Sequence, residues 1–211
     1  MIELYSRATP NGRKIAIALE EMGLPYRVHA VDFANLQQKS PEFLTLNPNG
    51  RIPVIIDTAP SGGGARVTVF ESGAILLYLA EKSGKLQPTD PTGRIEMLKW
   101  LFFGASQITH TAMQVHWLVR LRDKGEAAPH LEDYRTELRR LYGVLDGVLT
   151  ERQWLAGSDY SIADIASWTW IERHQMHGIV LESFPALTDW FARVAARPAT
   201  QKGYDIPPRQ N

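Results

Sequence analysis

Residues 70–80 have the sequence Phe-Glu-Ser-Gly-Ala-Ile-Leu-Leu-Tyr-Leu-Ala, and within this stretch the chain changes from strand composition to an apolar helix. Residues 67–70 are typical of a strand, and the apolar run 74–80 predicts a largely buried helix. Glu71 and Ser72 lie at the change, where free backbone N–H groups and the positive end of the helix dipole are found. The polar pair therefore occupies a position where charge can be bound.

An acid and a hydroxyl at a helix start have two interpretations. In the first, the hydroxyl caps the helix and the acid interacts with the helix dipole. In the second, the N–H groups hold a ligand carboxylate while Glu71 holds an ammonium group beside it. The backbone end of an amino acid carries both charges. From these residues alone, both interpretations remain open.

A second informative segment, residues 47–57, is a polar turn followed by an apolar strand that opens with proline. Pro53 belongs at the first position of the strand or on a sheet edge, because proline cannot donate a hydrogen bond to the ladder. The bond between Ile52 and Pro53 at such a turn is a candidate for the cis form. Such a bond turns the backbone N–H and C=O of Ile52 outward, where they can pair with an extended peptide.

Composition limits the class of protein. The chain has 211 residues, 44% of them hydrophobic, which supports a real core. Its 23 basic and 23 acidic residues balance, so we expect neither nucleic acid nor an acidic membrane as a partner. The N-terminus lacks the pattern of a signal peptide, and no apolar run reaches about 18 residues. We therefore expect a cytoplasmic location.

The chain has no cysteine. This excludes disulfides within the protein, metal sites built on thiolates and catalysis by a protein thiol. Any redox chemistry must use a thiol that a ligand carries.

The order of predicted elements indicates two domains. Residues 1–83 follow the order strand, helix, strand, helix, strand, strand, helix, which matches an α/β thioredoxin-like domain. A linker with glycine and two prolines follows at 83–91. Residues 91–211 predict an all-α helical bundle, with helices at about 91–123, 130–150, 162–176 and 185–196.

Four motifs together resemble those of the cytosolic glutathione transferases. They are Asn-Pro-Asn-Gly-Arg-Ile-Pro-Val at 47–54, Phe-Glu-Ser-Gly-Ala-Ile at 70–75, Ser-Ile-Ala-Asp-Ile-Ala at 161–166 and Thr-Pro-Asn-Gly-Arg-Lys at 9–14. The last is similar to the nu class of bacteria and fungi, which is known for glutathione-dependent disulfide reduction more than for conjugation. The resemblance covers nearly the whole chain. It implies the glutathione transferase architecture, glutathione as co-substrate and a homodimer.

The start of the first helix is the predicted thiolate site. Thr9 is a good N-cap and Pro10 a good first helical residue, so the segment can simply begin a helix. A helix N-terminus also stabilises a thiolate, and a free thiol has a pKa of about 8.5. We predict Asn11 as the main catalytic residue and Thr9 as the second, both donating to sulfur. Ser6 and Tyr5 are the alternatives.

The resemblance also implies positions along the tripeptide. Gln38 meets its glycyl end and Arg51 faces the glycyl carboxylate, although a solvated loop and a surface charge are the plainer interpretations. The turn and the resemblance together predict a cis bond between Ile52 and Pro53, which presents the backbone of Ile52 to the cysteinyl unit. The acid and hydroxyl at 71–72, Glu71 and Ser72, hold the γ-glutamyl end.

One position departs from the nu-class pattern. Those relatives often bring an arginine from the partner subunit, just before an aromatic residue. Asp133 occupies that position here, before Tyr134. Arg135 and Arg139 are possible substitutes, although both lie further along the helix. The departure weakens the expectation that a partner chain completes the site.

Histidines and aromatic residues of the helical half suggest less. His174 and His177 are three apart without a metalloprotease motif, so we expect a loop or surface role and no metal. Aromatic residues of the first long helix, Trp100, Phe102 and Trp117 among them, are expected in the core, the dimer interface or an acceptor pocket.

The sequence thus predicts a glutathione-dependent transferase or oxidoreductase. It stabilises the glutathione thiolate for attack on a disulfide, a hydroperoxide or an electrophile. The alternative is a binding or regulatory protein that kept the fold without catalysis.

Overall fold

The computed structural model describes residues 1–208. They form two compact units: residues 1–86 together with the segment from Arg197 onward, and residues 87–196.

The first unit is built on a four-stranded sheet with the order β2-β1-β3-β4. β1 and β2 are parallel, and the other neighbouring strands are antiparallel. A turn of 3₁₀ helix lies at Gln37–Lys39. This is the predicted α/β thioredoxin-like arrangement, with β1 (Ile2–Ser6), α1 (Pro10–Met22), β2 (Tyr26–Ala30), α2 (Pro41–Leu46), β3 (Val54–Asp57), β4 (Val67–Phe70) and α3 (Ser72–Ser83).

The strand register brings several chain segments to one edge of the sheet. Tyr5 pairs with Val54, which pairs with Phe70, and Ser6 pairs with Ala30. The segments that leave or enter the sheet at this edge are therefore the ones after β1, after β2, before β3 and after β4. Adjacent strands lie about 4.8 Å apart, so these four segments are neighbours in space.

Apolar periodicity accounts for the core of this unit. Ile2 and Leu4 of β1 are fully buried and alternate with partly exposed residues, as a strand with one buried face requires. Helix α1 packs on α3, and β3 is buried along its whole length. The Ile52–Pro53 bond is cis, as predicted, and Ile206–Pro207 is also cis.

The second unit is helical, as predicted. Its elements are α4 (Pro91–Phe102), α5 (Thr109–Asp123), α6 (Leu131–Leu149), α7 (Ile162–Ile171), α8 (His174–His177) and α9 (Pro185–Ala195). Ser161 and Asp164 form a capping box at the start of α7. Asp164 is completely buried there and accepts hydrogen bonds from the backbone of Ser161, the backbone of Leu155 and the indole of Trp190, at 2.8–3.0 Å. Its role is structural, because every contact fixes the chain around it.

The predicted long helix at 91–123 contains a π-helical segment, Phe103–Ile108, between α4 and α5. Close packing accompanies it, since a Cβ added to Gly104 would lie 2.5 Å from the Ser167 hydroxyl oxygen. The hydroxyl of Thr109 donates to the Gly104 carbonyl at 2.8 Å. π-Helical turns inside α-helices are frequent at functional sites.

The C-terminal segment differs from the sequence-based domain assignment. The sequence placed 91–211 in the helical domain, whereas residues 197–208 group with the first unit, and 209–211 lie outside the described residues. Helix α10 (Pro198–Tyr204) packs on α1. The Arg13 guanidinium lies 3.6 Å from the ring centroid of Tyr204 and donates to its carbonyl at 2.9 Å. The seven-residue helix was missed because contacts distant in sequence hold it.

Candidate active site

The candidate active site lies at the edge of the sheet where β1, β2 and β4 end and β3 begins. Thr9 and Asn11 come after β1, Gln38 after β2, the Ile52–Pro53 pair directly before β3, and Glu71 directly after β4. Separate sequence motifs predicted the two thiolate donors and the residues that bind the tripeptide. The structure places both sets on one edge of one sheet.

Helix α1 begins at this edge as predicted. Thr9 is its N-cap, with extended backbone, and its hydroxyl oxygen accepts a hydrogen bond from the Gly12 N–H at 3.2 Å. This bond uses a lone pair of the hydroxyl and leaves its proton to be donated. Asn11, half-buried in the first turn, adds an amide at the same positive end of the helix. This corner, the segment from Thr9 to Asn11 at the start of α1, can therefore present hydrogen-bond donors to a thiolate.

The two alternative residues of this corner have other partners. Ser6 is fully buried, and its hydroxyl donates to the Arg7 carbonyl at 3.4 Å. A Cβ at Gly12 would lie 2.4 Å from this hydroxyl oxygen, so Ser6 is packed beneath the first helical turn. Tyr5 stacks on His29 with ring centroids 4.5 Å apart. Ser6 and Tyr5 are thus engaged within the fold, and Thr9 and Asn11 remain our predicted thiolate donors.

The turn before β3 is held from inside by Asn47. This residue is 2% exposed. Its amide donates to the Arg51 carbonyl at 2.7 Å and accepts from the Asn49 N–H at 3.0 Å. The side chain of Arg51 is exposed, and Ile52 packs on a small apolar cluster. The two hydrogen bonds of Asn47 thus fix the turn that leads into β3, and the guanidinium of Arg51 is the exposed cation on this turn.

Gln38 lies against this same turn. Gly50 has a φ of 62°, and a Cβ there would come within 2.8 Å of the Gln38 carbonyl, so only glycine fits this approach. Lys39 donates from Nζ to the Asn49 carbonyl at 3.2 Å. The buried amide oxygen Oε1 of Gln38 has no hydrogen-bond partner among residues 1–208. The backbone of Gln38 is therefore in close contact with this turn, and its side-chain amide has bonding capacity unused.

The acid–hydroxyl pair does not cap α3 through its hydroxyl. Glu71 is the N-cap of α3, ahead of Ser72, and its side chain makes no capping hydrogen bond. The Ser72 hydroxyl is therefore not the helix cap. The backbone of Glu71 has a φ of 69°, which is uncommon for a residue with a side chain and concentrates at functional sites. Its carboxylate is exposed and available to a ligand ammonium.

Asp133 and the arginines near it lie in the second unit. Asp133 is exposed and contacts Nδ1 of His130 at 3.0 Å. Arg135 is engaged within its own unit, donating to the His177 carbonyl at 2.8 Å and to Glu132 at 2.5 Å. Because these two contacts occupy its guanidinium, Arg135 is a poor substitute for the arginine that nu-class relatives often bring to the site.

The expectation of a loop or surface role was wrong for His177. This residue ends helix α8, is completely buried, and neither ring nitrogen has a hydrogen-bond partner within the described part of the chain. Trp170 stacks on it, and His116 meets it edge-on with centroids 5.8 Å apart. The spacing of the histidines in the sequence did not indicate this burial, because the residues that surround His177 come together only through tertiary packing. Residues 1–208 contain no group of three or more metal-ligating side chains.

The buried imidazole predicts acid sensitivity. Burial, with neighbouring cationic groups, lowers the pKa of His177 from 6.5 to about 3. The folded state keeps it neutral while the unfolded chain takes up a proton below pH 6.5, so the free energy of unfolding falls as the pH decreases from there towards 3. Denaturant titrations at several pH values should show this loss reduced in His177→Gln. The exposed His110→Gln variant should retain the wild-type slope.

A cleft of about 440 Å³ lies in the second unit around the π-helical segment. Its lining combines hydroxyl, amide, imidazole and thioether groups from Ser106, Gln107, Thr109, His110 and Met113. No helix within residues 1–208 is long and apolar enough to cross a membrane.

Both halves of the chain match known protein families. Residues 8–82 match the model of the glutathione S-transferase N-terminal domain, and residues 108–198 that of the C-terminal domain. The disulfide-bond oxidoreductase YfcG of Escherichia coli is 42% identical over 95% of this chain and 93% of its own. YghU of the same organism, also named a disulfide-bond oxidoreductase, is 34% identical over 96% and 73%.

Solved structures of glutathione transferases are similar to this chain along nearly its whole length. A glutathione transferase from Pseudomonas putida, with one glutathione disulfide bound per subunit, aligns with a TM-score of 0.90 and 41% identity over 98% of this chain and 91% of its own. One from Burkholderia graminis, with two glutathione molecules per subunit, aligns with a TM-score of 0.91 and 39% identity over 99% and 89%. The expected resemblance is confirmed: this chain belongs to the glutathione transferase family.

Proposed function

We propose that the protein is a glutathione-dependent oxidoreductase that reduces disulfides with the thiolate of bound glutathione. One observation carries the proposal. The N-terminus of α1, the cis-proline turn before β3 and the carboxylate of Glu71, which makes no capping hydrogen bond, all lie at one edge of the sheet. The chain that forms this edge has no cysteine. The thiol must come from the ligand, and this edge offers donors for its sulfur.

The residues divide the tripeptide among them. Glu71 binds the γ-glutamyl ammonium, and the free N–H groups at Ser72 bind the adjoining carboxylate. The backbone of Ile52, ahead of Pro53, pairs with the cysteinyl unit. Gln38 and the exposed Arg51 meet the glycyl end, and Arg51 supplies the positive charge for its carboxylate. Thr9 and Asn11 donate to sulfur.

The reaction is thiol–disulfide exchange in two steps. The bound thiolate attacks one sulfur of the substrate disulfide, which forms a mixed disulfide and releases the other half as a thiolate. A second glutathione thiolate attacks the glutathionyl sulfur, which yields glutathione disulfide and the second reduced thiol. The protein contributes thiolate stabilisation and orientation. It forms no covalent bond itself.

Relatives support disulfides as the first acceptor to test. Two are named disulfide-bond oxidoreductases, and one solved structure holds glutathione disulfide. These names also favour an enzyme over a non-catalytic binding protein. Hydroperoxides and carbon electrophiles accept the same thiolate and remain the other acceptors of this proposal.

Turnover with glutathione tests the proposal directly. Purified protein is assayed with a small disulfide, a hydroperoxide and an aryl halide, and we expect the disulfide to be the best substrate. Because the chain has no cysteine, every protein-assisted oxidation of a thiol in the assay is that of glutathione, and the glutathione disulfide formed measures turnover of a disulfide or a hydroperoxide. Binding of glutathione without turnover of any acceptor would instead support the regulatory alternative.

We further propose a cytoplasmic homodimer. Reduced glutathione is maintained in the cytosol, where the reaction has its co-substrate. On the helical unit, Phe102 is 64% exposed and Trp117 is 61% exposed, and both are large apolar side chains. Exposed apolar surface of this kind marks interaction sites, and a second copy of this chain is the partner we propose.

The exposed phenylalanine provides a test of the dimer. Phe102→Asp should shift the mass measured by light scattering after gel filtration from dimer to monomer, because it places a charge in an apolar contact. The control Lys124→Asp, at another exposed helical-unit position, should stay dimeric. A wild-type protein that is monomeric at micromolar concentration would contradict the proposal.

A further inference from the structure

Arg7 is a half-buried arginine between the last residue of β1 and the N-cap of α1. Its carbonyl accepts a hydrogen bond from the Thr9 N–H at 2.7 Å, which closes a tight three-residue turn. Residues two apart in a chain have Cα atoms less than about 7 Å apart, so Arg7 borders Thr9, a predicted thiolate donor. The proposed reaction leaves the side chain of Arg7 without a role.

The guanidinium of Arg7 has a fixed position at this edge of the sheet. It lies over the ring of Phe33, 4.9 Å from the ring centroid. Phe33 follows β2 and packs on the same small apolar cluster as Ile52, the residue before the cis-proline. Cation–π attraction to a packed ring holds the guanidinium in place. Arg7 therefore supplies a positioned cation beside the candidate active site.

No acid among the described residues forms an ion pair with this cation. The Arg7 guanidinium makes its ring contact and no side-chain hydrogen bond within the described part of the chain. Asp32, in the same loop, uses its carboxylate in its own turn: it accepts from the Ala34 N–H at 2.8 Å, the Asn35 N–H at 3.3 Å and the Asn35 side-chain amide at 2.7 Å. The N–H donors of Arg7 are therefore available to a ligand.

The proposed function leaves one reactant without a cationic partner. Arg51 serves the glycyl carboxylate of glutathione, and the N–H groups at Ser72 serve the γ-glutamyl carboxylate. The other reactant is the disulfide, whose attacked sulfur must come within about 3–3.5 Å of the glutathione sulfur. That sulfur is placed at Thr9 and Asn11, so the disulfide must lie beside Arg7.

We propose that Arg7 binds a carboxylate of the substrate disulfide and makes the enzyme selective for anionic disulfides. The proposal rests on the proposed function, which places the reacting sulfur at Thr9 and Asn11. The planar guanidinium of arginine binds a carboxylate through two parallel hydrogen bonds. The contact also offsets repulsion between that carboxylate and the attacking thiolate. The substrate class is a disulfide with a carboxylate a few bonds from its sulfur.

Three disulfides of similar size but different charge test this selectivity. Dithiodipropionate is anionic, hydroxyethyl disulfide is neutral and cystamine is cationic. The glutathione disulfide formed gives kcat/KM for each, relative to the reaction without enzyme, and wild type should favour dithiodipropionate. Arg7→Gln should lower the value for dithiodipropionate about tenfold and leave that for hydroxyethyl disulfide within about twofold, because only the first loses a charged hydrogen bond.

Two further variants separate the charge of Arg7 from other effects. Arg66→Gln is the matched control, because Arg66 is exposed just before β4, at the end of that strand away from the site. This variant should keep the wild-type preference. Arg7→Lys keeps the charge and loses the fork of two donors, so it should retain part of the preference for dithiodipropionate.

The affinity for S-methylglutathione shows whether Arg7 instead binds glutathione itself. Calorimetry should give the same dissociation constant for wild type and Arg7→Gln. Weaker binding by the variant would assign the guanidinium to a glutathione carboxylate and overturns the proposal. Equal slowing of all three disulfides by Arg7→Gln overturns it as well, since the residue would then act on the thiolate or on the fold.

The wild-type protein alone separates this proposal from the proposed function. If wild type accelerates the three disulfides equally, the selectivity assigned to Arg7 is wrong and the proposed function stands. If wild type reduces none of them, both are wrong. An unchanged preference for dithiodipropionate in Arg7→Gln also overturns the role of Arg7.

Discussion

Glu71→Ala weakens glutathione binding by about 1.5–3 kcal/mol, the range for a hydrogen bond that involves a charged group. The exposed carboxylate makes no capping bond to its own helix, so its removal costs the fold little and the ligand much. The measurement is the dissociation constant by calorimetry. Glu81→Ala, which removes an exposed carboxylate further along the same helix, should bind as wild type.

A ligand analogue makes this result specific. Glutathione that lacks the γ-glutamyl amine should bind wild type and Glu71→Ala with nearly equal affinity, because the contact is absent in both complexes. The coupling energy of this cycle isolates the ammonium–carboxylate pair. Equal loss of affinity for both ligands would mean that Glu71 acts only through the helix start.

Asn11→Ala slows disulfide reduction at neutral pH about tenfold to a hundredfold, the second large effect that we expect. Loss of one donor to the sulfur removes about 1.5–3 kcal/mol of thiolate stabilisation, which raises the thiol pKa by about one to two units. The acidic limb of the pH–rate profile therefore moves to higher pH, while the alkaline plateau changes little. Stability should be nearly unchanged, because Asn11 follows the cap.

Thr9 distinguishes the two roles of the corner. Thr9→Ala should both slow turnover and lower the free energy of unfolding by about 0.5–2 kcal/mol, since it loses the bond from Gly12. Thr9→Ser keeps a hydroxyl and should restore both properties. If Asn11→Ala leaves the pH–rate profile in place while Ser6→Ala shifts it, the assignment of the thiolate donors is wrong.

Local signals in the sequence were sufficient for most of the fold. The cap at Thr9, the proline that opens β3 and the capping box at Asp164 each depend on neighbours along the chain, and the structure has all three. The order and type of the main elements followed from the same signals. Resemblance of the motifs then supplied the candidate residues of the site.

Features that depend on distant contacts were not predicted. Helix α10 docks on α1 through Arg13, nearly the whole chain length away. The burial of His177 and of Lys14 is equally invisible to local pattern, since a polar residue on a helix is expected to face water.

Ionisation of the bound glutathione thiol is the most direct test of the central claim that helix α1 and its first-turn donors stabilise a thiolate. The ultraviolet absorbance of the thiolate is titrated with pH for glutathione alone, for the wild-type complex and for the Asn11→Ala complex. We predict a midpoint clearly below the ordinary thiol value of about 8.5 in the wild-type complex, and a return towards that value in the variant. A wild-type complex that titrates together with free glutathione would contradict the account.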